Sequence, residues 1–140
     1  MNLKEEFIKT IIMLNKRDIL LDDKLKINKS ELMLLMSIYF SCDDVCAKNI
    51  VNELGFSKSM VANLVSSLEN KNYIIKKYDL HDKRKCIIKL TRKGNNFTKS
   101  IIKDFDCKLN NLFKKLNTKE IEEYIKLTHK IMEVIENETC

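Results

Sequence analysis

A basic segment in the middle of the chain has the strongest chemical character in this sequence. Residues 57 to 93 include ten Lys or Arg and only three acidic residues, a net charge of +7, while the whole chain of 140 residues carries +6. Charge that serves only solubility is spread over a surface, whereas charge concentrated in one segment is typical of a contact with the phosphate backbone of nucleic acid. A merely solvated basic face is the alternative that charge alone leaves open.

The first half of this segment contains a run of small, hydroxyl and amide side chains at helical spacing. Serines and a lysine at the predicted helix start suit phosphates, an asparagine one turn later can pair with adenine, and a methionine can contact a thymine methyl group. The residues predicted to bind DNA here are Ser57, Lys58, Ser59, Met60, Asn63 and Ser66. A face that only contacts solvent is the alternative.

The second half contains the tetrad Asp82, Lys83, Arg84 and Lys85 in a polar connection. The Arg84 guanidinium suits the narrow, electronegative minor groove of A·T-rich DNA, and Asp82 could direct it through a bidentate ion pair. Lys83 and Lys85 would then contact phosphates. A flexible charged loop is the alternative interpretation of the same residues.

Apolar residues at helical spacing predict the elements that precede and carry these side chains. A first helix is predicted from Leu3 to about Leu20, ending near residues 22–24. Asn28, with Glu31 three residues later, predicts the start of a second helix that is buried on most sides. The third helix is predicted to open at residues 43–44 and to stop at Gly55, and Ser57 or Ser59 caps the fourth.

The second half of the chain is predicted to form a hairpin followed by two long helices. Asn72 predicts a left-handed stop, after which YIIKKY and CIIKLT are β-rich runs separated by a polar, basic connection. A long helix is predicted from Arg92, and Asn117 or Thr118 caps a last helix. Gly and Pro are nearly absent and no apolar run is long enough to span a bilayer, so we expect a mainly α protein in the cytoplasm without a membrane partner.

Residues 54–94 resemble the MarR (multiple antibiotic resistance regulator) family of bacterial transcription factors. The resemblance is carried by Asp82-Lys83-Arg84, which looks like that family's Asp-x-Arg wing tip, and by Leu90-Thr91 with Gly94, which looks like its Leu-Thr-x-x-Gly helix opening. The sequence departs from the family pattern in the fourth helix, where Met60-Val61-Ala62-Asn63 stands in place of Thr-Val-Thr-Arg, and at Asn72, where a Gly is usual.

The resemblance and the residues together predict a single protomer over residues 1–140. Residues 28–94 form a winged helix-turn-helix lobe that binds DNA, and residues 1–20 and 95–140 form flanking dimerisation helices. The predicted function is a sequence-specific regulator of transcription that binds double-stranded DNA. We expect a homodimer on a palindromic operator, acting as a repressor that responds to a small-molecule effector and needs no cofactor.

Two other function classes are compatible with parts of the sequence. The basic segment of a winged helix could instead bind an acidic protein partner. Cys42 and Cys46, separated by three residues, could form a redox switch, although plain thiols are the simpler interpretation of five cysteines without disulfide-like spacing. The spacing of Cys and His indicates no metal site, and no catalytic motif is recognisable, so we expect no enzyme.

Overall fold

A computed structural model describes residues 2–16, 25–82 and 84–138 of the chain. The described elements are six helices and two strands: α1 (Leu3–Lys16), α2 (Lys29–Phe40), α3 (Ala47–Leu54), α4 (Lys58–Asn70), β1 (Ile74–Tyr78), β2 (Cys86–Leu90), α5 (Arg92–Lys115) and α6 (Thr118–Asn137). The predicted mainly α fold with one small hairpin is confirmed. The predicted end of the first helix, near residues 20–24, lies outside the described residues.

The core lies between α2, α3, α4 and the hairpin. Helix α2 supplies three leucines with no exposed surface, and the other elements each add buried aliphatic side chains. The best-buried core residues are Leu32, Leu34, Leu35, Ile50, Val61, Val65, Leu68, Ile74 and Ile88. Because this core is contributed by elements that follow one another closely in the chain, the fourth helix and the hairpin are fixed on a common base.

The start of the third helix differs from the prediction. Helix α3 begins at Ala47 with Cys46 in the capping position, not at Asp43 or Asp44. The reason is a long-range pairing, because Val45 forms an isolated antiparallel bridge with Ile88 of β2, and the Ile88 amide donates to the Val45 carbonyl over 2.7 Å. Val45 is therefore held in a β-bridge that a helix could not share, and α3 starts after it.

Both glycine and asparagine turns occur where the sequence predicts them. Gly55 closes α3 with a left-handed φ of 68°, and Asn72 follows α4 with a φ of 63°. The hairpin then pairs Ile74 with Leu90 at its base and Tyr78 with Cys86 near its tip. The predicted runs at 73–78 and 86–91 thus match the strands to within one residue at their ends.

The chain divides into two compact units, residues 1–103 and 104–140. In the first unit, every side chain of α1 from Leu3 to Leu14 is exposed, including Phe7, Ile11 and Ile12. In the second unit, α6 starts with a capping box between Asn117 and Glu120 and buries none of its residues. Among the described helices, none is both long and apolar enough to cross a membrane.

Candidate nucleic-acid interface

Helix α4 starts at a serine cap that the sequence left undecided. The Met60 amide donates to the Ser57 hydroxyl oxygen over 3.1 Å, so Ser57 rather than Ser59 is the capping residue. The Ser57 and Ser59 hydroxyl oxygens lie 3.3 Å apart. Both serines and Lys58 are exposed, which leaves hydroxyl groups, an ammonium and the positive end of the helix dipole on one surface.

The five exposed residues on the outer face of α4 include no acid, and Glu69 at the edge of this face lies 3.8 Å from Lys76 of β1. Ser59, Ala62, Asn63, Ser66 and Asn70 are all exposed, while the opposite side of the helix is buried in the core. These side chains are short or end in an amide, so this face can approach the edges of base pairs closely. The structure therefore presents Asn63 and Ser66 as the prediction requires, and their contacts with DNA stay a prediction.

Met60 has a different environment from the other predicted contact residues. Its side chain is half-buried and packs against the hydrophobic core of the lobe. Its packing indicates a structural contribution to α4. The predicted contact of Met60 with a thymine methyl group stays a prediction.

The described residues of the hairpin tip include exposed basic side chains. The Arg84 guanidinium Nε lies 3.3 Å from Oδ1 of Asp82, and the Arg84 backbone amide donates to the same oxygen over 3.0 Å. The predicted bidentate ion pair is therefore wrong, because a single guanidinium nitrogen makes this contact and the backbone amide makes the other. The Arg84 side chain is 94% exposed and Lys85 is exposed, whereas Lys83 lies outside the described residues.

The base of the hairpin is joined to α5 through Thr91 and Gly94. The Thr91 hydroxyl donates to the Asn72 carbonyl over 2.6 Å and accepts from the Gly94 amide over 2.9 Å. The backbone of Gly94 passes so close to Tyr73 that an added Cβ would overlap the Tyr73 carbonyl oxygen. The Leu-Thr-x-x-Gly motif therefore fixes where the second strand ends and α5 begins.

A buried carboxylate at the start of α2 was not recognised in the sequence as a partner of α4. The Glu31 carboxylate accepts from the Lys71 ammonium over 2.9 Å, from the Ser67 hydroxyl and from the Asn28 amide. Burial by itself raises the pKa of Glu31, but the hydrogen bonds from Ser67, Lys71 and Asn28 outweigh it, so the pKa lies below its ordinary value. Asn28 and Glu31 were predicted as a helix start, and that capping box is confirmed.

The exposed face of α4 and the hairpin border the same groove. Ala62 and Val65 of α4, Lys76 and Tyr78 of β1, and Cys86 of β2 line a space of about 250 Å³. Both predicted DNA-contacting elements therefore belong to one continuous surface of the first unit.

Among the described residues, the thiols and acidic groups outside this surface form no comparable site. The Cys46 thiol donates to the side-chain oxygen of Asn49 over 2.8 Å as part of the α3 cap, and Cys42 is exposed. Within residues 2–16, 25–82 and 84–138, no three His, Cys, Asp or Glu side chains are grouped so that they could hold a metal ion.

Comparisons with known proteins agree with this arrangement. Residues 19–101 match the family model described as "Transcriptional regulator SarA/Rot". No curated protein matches the chain. Among solved structures, Staphylococcus aureus MarR in complex with salicylate and kanamycin is 20% identical with a TM-score of 0.80, covering 98% of this chain and 95% of its own.

Two further structures share the fold. The S. aureus MepR-DNA complex is 22% identical with a TM-score of 0.75, covering 96% of this chain and 98% of MepR. A MarR-like transcriptional regulator from Thermotoga maritima is 21% identical with a TM-score of 0.66, covering 97% of this chain and 98% of its own. At these identities the likeness shows the fold, which is the winged helix-turn-helix predicted from residues 54–94.

Proposed function

The chain belongs to the SarA/Rot family of transcriptional regulators, and on this premise we propose that it is a sequence-specific double-stranded-DNA-binding regulator that acts as a homodimer. The observation that carries the proposal is the shared surface of α4 and the hairpin. On that surface an exposed helix face of small and amide side chains adjoins a hairpin with an exposed arginine at its tip. S. aureus MepR, a protein of the same fold, forms a complex with DNA, which adds support.

The proposed contacts divide into those that position the protein and those that read the sequence. Ser57, Lys58 and Ser59 contact phosphates at the α4 N-terminus, where backbone dipoles add positive potential. Asn63 enters the major groove and pairs with an adenine edge, with Ser66 beside it. Arg84 reaches into the minor groove, and Lys85 contacts the adjoining phosphates together with Lys83.

Self-association is supported by the uncovered apolar faces of α1 and α6. Large hydrophobic side chains on these helices are exposed to 40% or more, among them Phe7, Ile12, Ile131 and Ile135. A stable protein seldom leaves apolar surface of this extent exposed to water. The simplest way to bury it is contact with a second copy of the same chain. A two-fold dimer would present two copies of α4 to a palindromic operator, with half-sites roughly 34 to 36 Å apart.

A small-molecule effector and a repressor role complete the proposal. The salicylate and kanamycin bound to S. aureus MarR and the ethidium bromide bound to S. aureus MepR are ligands of proteins with this fold. A thermal-shift screen with small aromatic compounds, run with and without operator DNA, tests the effector. The proposal places the chain in the cytoplasm. It includes no cofactor.

The direct test of the function compares duplex DNA with an acidic polymer. We expect anisotropy measurements to show that the chain binds a random duplex, with affinity falling steeply as salt rises, and that selection from a random pool enriches a palindrome. Poly-glutamate is negatively charged, as duplex DNA is, but it has no grooves. Equal affinity for poly-glutamate and duplex, with no enriched sequence, would instead favour the module that binds an acidic protein partner.

A further inference from the structure

The tip of the hairpin carries an apolar side chain that the proposed phosphate and base contacts do not use. Leu80 is 96% exposed, the largest exposed fraction among the large hydrophobic residues described. It lies in the basic wing, between the end of β1 and Arg84, whose own side chain is 94% exposed. The tip therefore exposes one leucine and one arginine almost completely.

Hydrogen bonds hold the turn that presents Leu80. The Asp79 amide donates to the Lys85 carbonyl over 3.0 Å, and the His81 amide donates to Oδ1 of Asp79 over 2.9 Å. The Lys85 amide donates to the Asp82 carbonyl over 3.0 Å. The backbone on both sides of Leu80 is thus constrained, so little backbone entropy is lost when its side chain is inserted into a partner.

The positively charged side chains near Leu80 in the sequence limit the kind of partner surface that can bind it. A protein partner with an apolar pocket would have to tolerate the neighbouring guanidinium and ammonium groups, whereas the DNA minor groove combines strong negative potential with apolar sugar walls. The groove is about 6 Å wide, which admits one narrow apolar side chain, and leucine is among the residues that architectural proteins insert there.

We propose that Leu80 enters the minor groove beside Arg84 and makes the wing select A·T-rich segments by steric fit. In A·T pairs the groove floor carries only small acceptors, whereas each G·C pair adds the protruding guanine N2 amino group. The leucine packs against sugars and floor where that amino group is absent and is excluded where it is present. This inference rests on the proposed DNA-binding function.

The test uses three polymers and the Leu80→Ala variant of the full chain. Poly(dI-dC) has the major-groove hydrogen-bonding pattern of poly(dG-dC) but lacks the N2 amino group, and poly(dA-dT) lacks it also. We expect Leu80→Ala to weaken binding to poly(dA-dT) and poly(dI-dC) about fivefold and binding to poly(dG-dC) less than about twofold. The salt dependence should stay unchanged because no charge is removed.

Two further variants serve as controls. Ile75→Ala removes a similar apolar side chain from the base of the same hairpin, where Ile75 pairs with Lys89, and should alter binding to the three polymers equally or not at all. Leu80→Met keeps an apolar side chain and should retain the preference. Thermal unfolding of Leu80→Ala should match the unmodified chain, since an exposed side chain contributes little to stability.

The outcomes separate this inference from the function on which it rests. If the unmodified chain binds duplexes and Leu80→Ala loses nothing, or loses affinity equally for all three polymers, Leu80 does not read the minor groove. If the unmodified chain binds no duplex at all, the proposed function fails and the inference fails with it.

Discussion

The ammonium of Lys71, at the end of α4, lies 2.9 Å from Oε2 of Glu31, at the start of α2. The Glu31 side chain is 4% exposed and the Lys71 side chain 36%. Lys71 also donates to the Lys26 carbonyl over 3.0 Å, in the segment before α2. Lys71 therefore joins the C-terminal end of α4 to the start of α2 and to the segment before α2. Neither of these parts contacts DNA in the proposal.

Removing the cation from this pair should destabilise the fold. In Lys71→Met the buried Glu31 carboxylate keeps only neutral hydrogen-bond donors, so we expect the free energy of unfolding in urea to fall by about 1–3 kcal/mol. Lys76→Met is a matched control, because Lys76 and Glu69 are 3.8 Å apart and both partly exposed. The control should lower the free energy of unfolding by less than about 1 kcal/mol. Equal losses in the two variants would show that the buried pair contributes no more to stability than the exposed pair.

The same carboxylate should make stability depend on acid pH. The pKa of Glu31 in the folded chain lies below its ordinary value, so ionised Glu31 favours folding above that ordinary value. This contribution is lost as the pH falls through the lowered pKa. We expect the stability difference between the unmodified chain and Glu31→Gln to shrink between about pH 6 and about pH 3 in urea titrations. A difference that is constant over this range would contradict the assignment.

The close approach of Gly94 to Tyr73 should make position 94 intolerant of any side chain. A Cβ there would overlap the Tyr73 carbonyl oxygen and lie 2.7 Å from its carbon, so the backbone would have to move. We expect Gly94→Ala to lower the free energy of unfolding by about 2–4 kcal/mol. Gly55→Ala is the control, because a Cβ at Gly55 meets nothing within 4 Å and only the φ of 68° costs about 1 kcal/mol.

The two predicted classes of DNA contact should respond differently to alanine. Arg84→Ala should weaken binding to operator and random duplexes alike and flatten the salt dependence by about one unit of slope. Asn63→Ala should cost about 1–3 kcal/mol on the operator alone and leave non-specific affinity and slope nearly unchanged. Both side chains are exposed, so circular dichroism should show intact folds. If Arg84→Ala binds every duplex normally, the wing assignment is wrong.

The uncovered helices should support a dimer in solution. Sedimentation at micromolar concentration should give about twice the 16.5 kDa chain mass. Ile12→Glu in α1 and Ile135→Glu in α6 should shift the chain toward monomer, since each buries a charge in the proposed interface. Phe40→Glu alters a comparably exposed residue of α2 and should leave the mass unchanged. A monomeric unmodified chain would contradict the two-half-site arrangement.

The sequence by itself determined the features that depend on near neighbours. The sequence predicts the helix cap at Asn28, a last cap at Asn117 or Thr118, the left-handed stops at Gly55 and Asn72, and the hairpin, all from residue types within a few positions of one another. The concentration of charge on residues 57–93 is also a property of the sequence alone, and it is typical of a contact with the phosphate backbone of nucleic acid.

The tertiary structure decided everything that joins residues distant in the chain. Val45 pairs with Ile88 of β2, and this pairing shifted the start of α3 past the two aspartates. Glu31 contacts Lys71, which lies 40 positions later in the chain, and Met60 packs in part against the hydrophobic core. No spacing rule predicts such contacts, because their free energy depends on which surfaces the whole chain brings together rather than on local conformational preference.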